Sequence, residues 1–266
     1  MALASFSLQL AQLMIDNELA GVGVLVTRPG HQAIELVAAI TRLGGSAIEF
    51  PAIEIIPRTG DAIAVDANQL LDPDIAIFVS ANAVQHGLAF TGSAKIAVVG
   101  PATAAAIESS THSVDIRSPA GYDSEHLLAE AELQNVRGKV VRILRGENGR
   151  ELLADTLRDR GATVEYLAIY KRKTPDYSAS EVAALERRWR AGAVNVVTIM
   201  SVESLTNLIA ILPEWCKDEL GRTPLVTPAS RVIDATLDRF PGIPTTLARG
   251  PRASDIVDAI VNRKQS

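Results

Sequence analysis

The chain has 266 residues, 47% of them apolar and 21% charged, a composition typical of a globular protein with one large or two small domains. Its 26 basic and 31 acidic side chains give a formal net charge of −5. A nucleic-acid-binding protein normally carries a net basic surface, so the charge argues against that class.

Cysteine and histidine usage argues against disulfides and metal sites. Cys216 is the only cysteine, so no internal disulfide is possible and a reducing compartment is compatible. Its acidic neighbours in "PEWCKDE" disfavour a thiolate, which indicates an inert thiol. The four histidines are scattered without ligand spacing, so we predict no metal site.

The amino-terminal stretch, residues 1–20, is interpreted as a short extra helix or a frayed extension. It lacks a basic start, and Asp16 and Glu18 follow its apolar residues, which argues against a secretory signal. No apolar run approaches the roughly 18 to 20 residues that a membrane span requires. We therefore predict a cytoplasmic protein without a membrane partner.

From Val22 onward, short apolar runs rich in β-branched residues alternate with helical stretches, a pattern that predicts parallel sheets covered by helices. The clearest helix is Ala179–Arg190, because "SASE" before it has the spacing of a capping box. The predicted strands, in chain order, are Val24–Val26, Ile48–Phe50, Ile75–Val79, Ile96–Val99, Val114–Ile116, Val140–Leu144, Val164–Tyr170, Val194–Met200, Leu225–Val226 and Thr245–Leu247.

The chain also repeats itself in four segments that keep the same order. The repeat places Ser80 opposite Ser201 and Thr103 opposite Ser230. The four pairs are Leu25–Glu54 with Ile143–Tyr170, Asp74–Val84 with Asn195–Leu205, Lys95–Ser109 with Thr223–Leu237, and Ser124–Glu125 with Ser254–Asp255. The repetition predicts a duplicated α/β unit: two similar flavodoxin-like or Rossmann-like lobes with parallel sheets and a cleft between them.

Two extended, proline-punctuated stretches, "FPAIEIIPRTG" and "YLAIYKRKTPDYS", are the candidate linkers.

Several predicted strands run into a small, hydroxyl-bearing turn that opens a helix. In parallel α/β sheets, ligands bind beyond the carboxyl ends of the strands, where helix amino termini attract anions. For any single junction, an ordinary helix cap is the plainer reading of its hydroxyl. The candidate binding residues at these turns are Thr27, Arg28, Ser80, Asn82, Gly100, Thr103, Arg145, Gly146, Ser201 and Ser230.

Several sequence signatures are missing. "GVGV" precedes its strand and lacks a third glycine, so it is a poor dinucleotide fingerprint. The chain has no phosphate-binding loop with a lysine, no G-x-S-x-G elbow and no recognisable Ser-His-Asp arrangement. A nucleotide-using Rossmann enzyme is therefore disfavoured.

The chain resembles the uroporphyrinogen-III synthase family from Val24 onward. The resemblance is carried by "VLVTRPG", "FVSANAV", "VVGPATAAAIE", "YDSEHLL", "LRGENGRELLADTLRDRGATVEYLAIYKR" and "TPASRV", in family order and spacing. It implies conversion of hydroxymethylbilane, a linear tetrapyrrole with eight carboxylates, into uroporphyrinogen III. The terminal ring is inverted, water is lost, and no metal or organic cofactor takes part. It also implies a monomer with a small-molecule substrate.

The resemblance further implies that one lobe is inserted into the other. Residues 21–52 and 172–266 would then form a discontinuous α/β lobe, and residues 56–167 a nested one. Sequence repetition alone would instead favour two consecutive halves.

Tyr170 matches the tyrosine that the resemblance implies near the substrate's hydroxymethyl end, where a phenol could help the hydroxyl leave as water. The alternative is a linker tyrosine whose hydroxyl faces solvent.

Three arginines at strand ends could pair with substrate carboxylates or form surface ion pairs: Arg28, Arg145 and Arg150. The basic run Lys171–Lys173 is more typical of a solvated face.

A different class of function stays open at this level. A non-catalytic two-lobed protein that senses an anionic metabolite would share the helix-start sites but would not need Tyr170. The isomer of the porphyrin product separates the two readings.

Overall fold

The structure, a computed structural model, describes residues 17–147, 149 and 151–264. They form two compact units. The flanking unit contains the described residues of Met1–Glu54 and Thr174–Ser266, and the nested unit contains those of Ile55–Lys173. In chain order the elements are β1 (Gly23–Val26), α1 (Gly30–Arg42), β2 (Ser46–Glu49), β3 (Glu54–Pro57), α2 (Gly60–Ala67), β4 (Ile75–Phe78), α3 (Ala81–Gly87), β5 (Lys95–Val98), α4 (Pro101–Glu108), β6 (Ile116–Arg117), α5 (Ser124–Leu128), α6 (Ala131–Gln134), β7 (Val140–Gly146), α7 (Leu152–Asp159), β8 (Thr163–Lys173), α8 (Ala179–Arg190), β9 (Val196–Thr198), α9 (Val202–Ile211), α10 (Glu214–Leu220), β10 (Leu225–Thr227), α11 (Ser230–Arg239), β11 (Thr245–Leu247) and α12 (Ala253–Lys264).

Each unit is built on one sheet. The flanking sheet has the order β11-β10-β9-β1-β2, and the nested sheet has the order β3-β8-β7-β4-β5-β6. All four pairings of the flanking sheet are parallel, as are those that join β8, β7, β4, β5 and β6. The predicted fold class, α/β with parallel sheets in two similar units, is confirmed. The cleft between them stays a prediction.

Both sheets are covered by helices on their two faces. In β1, Leu25 packs into one apolar cluster while Val24 and Val26 pack into the cluster on the opposite face. In β4, Ile75 and Ile77 face one cluster and Phe78 faces the other. Strands that are buried on both faces read as continuous apolar runs, which is why these segments were recognisable in the sequence.

The sequence repeat is visible in the order of the strands. The repeated segments make β7 and β8 equivalent to β1 and β2, and make β4 and β5 equivalent to β9 and β10. β6 and β11 occupy the same place in the chain order, between the third and fourth pairs of segments. The nested order β8-β7-β4-β5-β6 then matches the flanking order β2-β1-β9-β10-β11 strand for strand. The first two strands of one repeat thus share a sheet with the last three strands of the other. Consecutive halves would not give this arrangement.

Both linkers contain strand residues of the nested sheet. The first contains β3, which lies beside β8 at the edge of the nested sheet. The second includes the end of β8, which continues past Leu167 without a break to Lys173, so the basic run Lys171–Lys173 is strand. Arg58 follows β3 and is fixed to the nested unit, because its N–H donates to the Ile169 carbonyl at 2.9 Å.

Side chains of the flanking unit fix the linker residues that lie within this unit. The Phe50 and Tyr177 rings stack with centroids 4.0 Å apart, and the Tyr177 hydroxyl donates to the Pro51 carbonyl at 2.9 Å. Burial raises the pKa of Tyr177 to about 12, so this donor keeps its proton across the physiological range. The Asn207 amide donates to the Ala52 carbonyl at 3.0 Å.

The predicted capping box of α8 is confirmed. The Glu181 N–H donates to Ser178 Oγ at 3.3 Å, and the Ser178 N–H donates to Glu181 Oε2 at 2.8 Å. The Ser178 hydroxyl also donates to Glu181 Oε2 at 2.6 Å, and this bond, together with the one from the Ser178 N–H, lowers the pKa of the Glu181 carboxyl. The helix spans the predicted residues because the signal is local: both partners lie within one turn.

We expect Ser178→Ala to lower the free energy of unfolding by about 1 kcal/mol, since it leaves helix-start N–H groups without an acceptor. The matched control is Ser230→Ala at the start of α11, where the N-cap is Ala229 and no side chain caps the helix. Urea unfolding followed by circular dichroism measures both. Equal effects of the two substitutions would contradict the assignment.

Candidate functional site

The strand order of the nested sheet reverses between β4 and β7, and the carboxyl ends of these two strands mark a candidate ligand site. From β4 the chain adds β5 and β6 on one side, and it then places β7 and β8 on the other. In doubly wound sheets, ligands bind outside the carboxyl ends of the strands at this point. Ser80 follows β4 there, and Gly146 ends β7.

Ser80 and Ser201 occupy the same conformation in the two units. Each is the N-cap of the next helix, with φ and ψ of −161° and 158° for Ser80 and −154° and 159° for Ser201. Ser80 Oγ accepts the Ala83 N–H at 3.2 Å, and Ser201 Oγ accepts the Ser204 N–H at 3.1 Å. The equivalence predicted from the repeat therefore holds for these two serines, and the cap is one role of each.

Tyr170 lies beside Ser80. Its hydroxyl is 3.1 Å from Ser80 Oγ, and its side chain is 1% exposed, so it belongs to the core of the nested unit. The alternative of a linker tyrosine with a solvent-facing hydroxyl is wrong: β8 carries Tyr170 inside the sheet, directly opposite Gly146 in the register with β7.

Gly146 makes room for this tyrosine. A β-carbon at Gly146 would lie 2.8 Å from Cε2 and 3.1 Å from Cζ of the Tyr170 ring. Real side chains do not tolerate the shorter distance, so any other residue at this position would displace the ring. The pairing of β7 and β8 also shifts register between Arg145 and Gly146. Three of the predicted site residues, Ser80, Gly146 and Tyr170, are thus in contact.

Arg145, also predicted to bind substrate, is used inside the loop after β7. Its Nε donates to the Gly146 carbonyl at 3.3 Å, its Nη1 pairs with Glu151 at 3.1 Å, and its guanidinium lies 4.2 Å from the centre of the Tyr166 ring. The Tyr166 hydroxyl donates to Glu151. Burial and this hydrogen bond raise the pKa of Tyr166 to about 12. Arg145 therefore orders the loop that follows Gly146.

Three more candidate residues follow strands of the nested sheet, but they differ in solvent exposure: Gly100, Thr103 and Asn82. The N-cap of α4 is Gly100, without a side-chain cap, and Thr103 is the third residue of the helix and buried. Thr103 does not cap α4, so the interpretation of its hydroxyl as a helix cap is wrong, and its role in binding stays a prediction. Asn82 is buried in α3. Gly100 lines a pocket of about 320 Å³.

In the flanking unit, Thr27 and Arg28 follow β1 at the point where β1 pairs with β9. Thr27 is fully buried, and its hydroxyl donates to the Thr198 carbonyl at 2.6 Å, which joins the two strands. Arg28 Nη1 donates to the Pro251 carbonyl at 3.1 Å, and its Nε is buried without a partner. Burial lowers the pKa of Arg28.

Ser230 does not match Thr103 in conformation. It is exposed and begins α11, because Ala229 is extended and its N–H donates to Thr227 Oγ1 at 3.2 Å. α4 instead begins at Pro101, two positions before Thr103. The predicted equivalence of Thr103 and Ser230 is therefore wrong. Thr227, which matches Gly100 in the repeat, accepts the Ala229 N–H and so forms a turn that Gly100 has no side chain to make.

Other features of the described residues bear on chemistry. Burial raises the pKa of the Cys216 thiol to about 11, which fits an unreactive core cysteine. Within the described ranges, no three or more His, Cys, Asp and Glu side chains are grouped to hold a metal ion, and no helix has the length and apolar character needed to cross a membrane. Arg150 and residues 1–16 of the amino-terminal stretch lie outside the described residues.

Sequence reasoning did not find the other residues that line the pocket beside Gly100. They include Arg117 and Ser118 at the end of β6 and Tyr122 in the loop after it. Tyr122 stands in "YDSEHLL", a motif that supports the repeat and the family resemblance but gave this tyrosine no role. A tyrosine in the loop after a predicted strand was the available signal.

Comparisons with known proteins agree on one family. The family described as "Uroporphyrinogen-III synthase HemD" matches residues 34–257. The uroporphyrinogen-III synthase of Escherichia coli K12 is 34% identical over 212 residues, which cover 74% of this chain and 82% of that protein. The enzyme of Proteus mirabilis is 32% identical, with coverage of 71% and 98%.

The chain belongs to the uroporphyrinogen-III synthase family. Solved structures of the family show the same fold. The chain matches the Helicobacter pylori protein with a TM-score of 0.61 at 12% identity, covering 91% of this chain and 99% of that one. It matches a mutant of the Thermus thermophilus enzyme with a TM-score of 0.58 at 17% identity, with coverage of 92% and 99%. The resemblance found in the sequence is thereby confirmed.

We expect Gly146→Ala to displace the Tyr170 ring and to destabilise the protein by about 1 to 3 kcal/mol, the usual cost of overpacking. The matched control is Gly60→Ala in the same unit, at the first residue of α2, where an added β-carbon meets nothing within 4 Å. Thermal unfolding and the near-ultraviolet tyrosine signal measure the two effects. Equal behaviour of the two variants would contradict the packing argument.

Proposed function

We propose that this family member closes hydroxymethylbilane into uroporphyrinogen III, with inversion of the terminal ring and loss of water. Membership of the family supports the reaction. The observation that carries the local chemistry is the contact between Tyr170 and Ser80, two hydroxyls 3.1 Å apart at the strand-order reversal of the nested sheet.

The substrate class agrees with the chemistry of the two carboxyl edges. A substrate with eight carboxylates needs many hydrogen-bond donors, and helix amino termini supply backbone N–H groups and a partial positive charge. Each unit presents such helix starts after its strands, among them α3 after Ser80 and α9 after Ser201. Net charge describes the whole surface, so −5 is compatible with donor-rich edges.

Tyr170 and Ser80 suggest how the hydroxyl leaves as water. Because Tyr170 is 1% exposed, we place Ser80, which is partly exposed, between the phenol and the substrate. Of the two directions open to the Tyr170–Ser80 hydrogen bond, the proposed relay takes Tyr170 as the donor, so that Ser80 Oγ accepts the Ala83 N–H and the Tyr170 O–H. As the C–O bond of the substrate breaks, the Ser80 proton passes to the leaving hydroxyl, which departs as water, and the Tyr170 proton passes to Ser80. The proton that the substrate loses when the ring closes returns to the phenolate. Hydrogen bonds in such a chain strengthen one another. Tyr170 acts through Ser80 as a positioning residue and proton source.

Product analysis tests the reaction itself. Freshly prepared hydroxymethylbilane is incubated with the protein, and the product is oxidised and resolved into porphyrin isomers. Because spontaneous closure gives the type I isomer, we expect type III to predominate with the protein and type I to predominate with heat-denatured protein. Type I alone in both samples would overturn the proposal.

Variants test the two hydroxyls. We expect Tyr170→Phe and Ser80→Ala each to lower kcat by about 10- to 100-fold, the range of partial general-acid assistance. Since both act in one relay, the double variant should be no slower than Ser80→Ala alone. Ser80→Thr, which keeps the hydroxyl and the cap, should restore most of the rate.

Tyr177→Phe is the matched control for loss of a tyrosine hydroxyl. It removes the hydrogen bond to the Pro51 carbonyl and should leave kcat within about twofold while lowering stability by about 1 kcal/mol. If Tyr170→Phe keeps full activity, or if the effects at Ser80 and Tyr170 multiply, the relay is wrong while the reaction can still stand.

A further inference from the structure

The nested unit contains a pocket that the Ser80–Tyr170 contact does not use. It has a volume of about 320 Å³ and lies beyond the carboxyl ends of β5 and β6. Ligand pockets typically measure about 300 to 1,000 Å³. A pocket at the lower limit of that range accommodates one small ring with its substituents, and it is too small for four linked rings.

The inner walls of this pocket are apolar and rigid. Val98 and Ala104 are buried members of the nested core, and Pro101 and Pro119 restrict the backbone on two sides. Such walls suit the faces of a flat, unsaturated ring.

Three polar side chains surround these walls. Ser118 is nine-tenths buried, and its Oγ accepts the Ala120 N–H at 3.2 Å, so its hydroxyl hydrogen can donate into the pocket. Tyr122 is 69% exposed at the rim and offers a ring face and a phenol. Arg117 is also exposed, and its guanidinium pairs with Glu108 at 3.0 Å. A surface pair of this kind is worth little, so Arg117 can turn to a ligand carboxylate.

We propose that this pocket binds a single pyrrole ring of the substrate, with the ring against the apolar walls and Tyr122, and with its acidic side chain bonded to Arg117 and Ser118. The inference rests on the proposed function, because it names a subsite for that substrate. It adds Arg117 and Ser118, which neither the sequence motifs nor the relay includes, and it assigns a role to Tyr122 of "YDSEHLL".

The position of the pocket fits a long substrate. Ser80 follows β4, and β5 and β6 are the next two strands of the sheet, so the pocket lies about one to two strand spacings, roughly 5 to 10 Å, from Ser80. A linear tetrapyrrole spans this distance and can place one ring in the pocket while its hydroxymethyl end lies at Ser80. Fixing a second part of the substrate in this way restricts it to conformations close to the reactive one.

Binding of a monopyrrole tests the pocket directly. The probe is a pyrrole that carries one acetate and one propionate group, titrated into the full chain and followed by calorimetry and by NMR of the Gly100 and Ser118 amides. We expect Tyr122→Ala and Arg117→Gln each to weaken binding by about 3- to 10-fold, the effect of one exposed contact. Glu108→Gln, which releases Arg117 from its partner, should strengthen binding.

Two matched controls separate the pocket from general effects. Arg222→Gln removes another exposed arginine, which pairs with Glu219 in the flanking unit. Val65→Ala removes an exposed apolar side chain elsewhere in the nested unit. Both should leave monopyrrole binding unchanged. Equal weakening by Arg222→Gln and Arg117→Gln would overturn the pocket as the binding site.

Turnover distinguishes failure of this inference from failure of the proposed function. With hydroxymethylbilane we expect Tyr122→Ala and Arg117→Gln to raise KM by about 3- to 10-fold with kcat within about twofold. A wild-type protein that forms the type III isomer, with KM unchanged in both variants, overturns the subsite and leaves the function standing. If the wild type forms no type III isomer, the function fails, and the monopyrrole titration still decides whether the pocket binds a pyrrole.

Discussion

The pairing of β3 with β8 is the constraint on which the rest of the structure depends. These strands carry the chain into and out of the nested unit, and they lie side by side in one sheet. Because the two ends of the inserted segment are held together, β1 and β9 can pair although Thr27 and Thr198, joined by a hydrogen bond, are 171 residues apart. Loop-closure entropy grows only with the logarithm of length, by about 0.6 kcal/mol for each doubling, and a folded insert with adjacent ends lowers it further. The parallel sheet of the flanking unit is built across the insertion at small entropic cost.

The same constraint explains how one repeat yields two similar sheets. Apart from β3, the chain carries five strands and then five equivalent strands, and each sheet takes two from one set and three from the other. Strand equivalence therefore places Ser80 and Ser201 at the same structural position, as helix caps with nearly identical backbone angles. Where one repeat has glycine and the other threonine, at Gly100 and Thr227, the helix starts diverge and the neighbouring hydroxyls cease to be equivalent.

What the sequence predicts well is local or periodic. The capping box of α8 depends on residues three positions apart, and the strands are continuous apolar runs because both faces of each sheet are covered. The candidate site is less predictable, because partners separated by long stretches of chain decide its side chains. Thr27 bonds to Thr198 on the neighbouring strand, 171 positions away, and Ser80 meets Tyr170 from 90 positions away. Arg145 looked like a ligand for carboxylates, but its neighbours in the folded loop, Gly146 and Glu151, occupy its guanidinium.

The two units differ where chemistry is concerned. In the repeat, Tyr170 corresponds to Glu54, which begins β3, so the flanking unit has no phenol in the matching place. Nor does its Ser201 hydrogen-bond to a tyrosine among the described residues: its hydroxyl lies 2.9 Å from Ser204 Oγ. Duplication alone would have given two equal sites. Divergence at Tyr170 and at Gly146, which must stay free of a β-carbon for the ring to fit, leaves the hydroxyl pair in the nested unit alone. The proposed relay needs one proton source at one end of the substrate, and this asymmetry places the two hydroxyls it requires in a single unit.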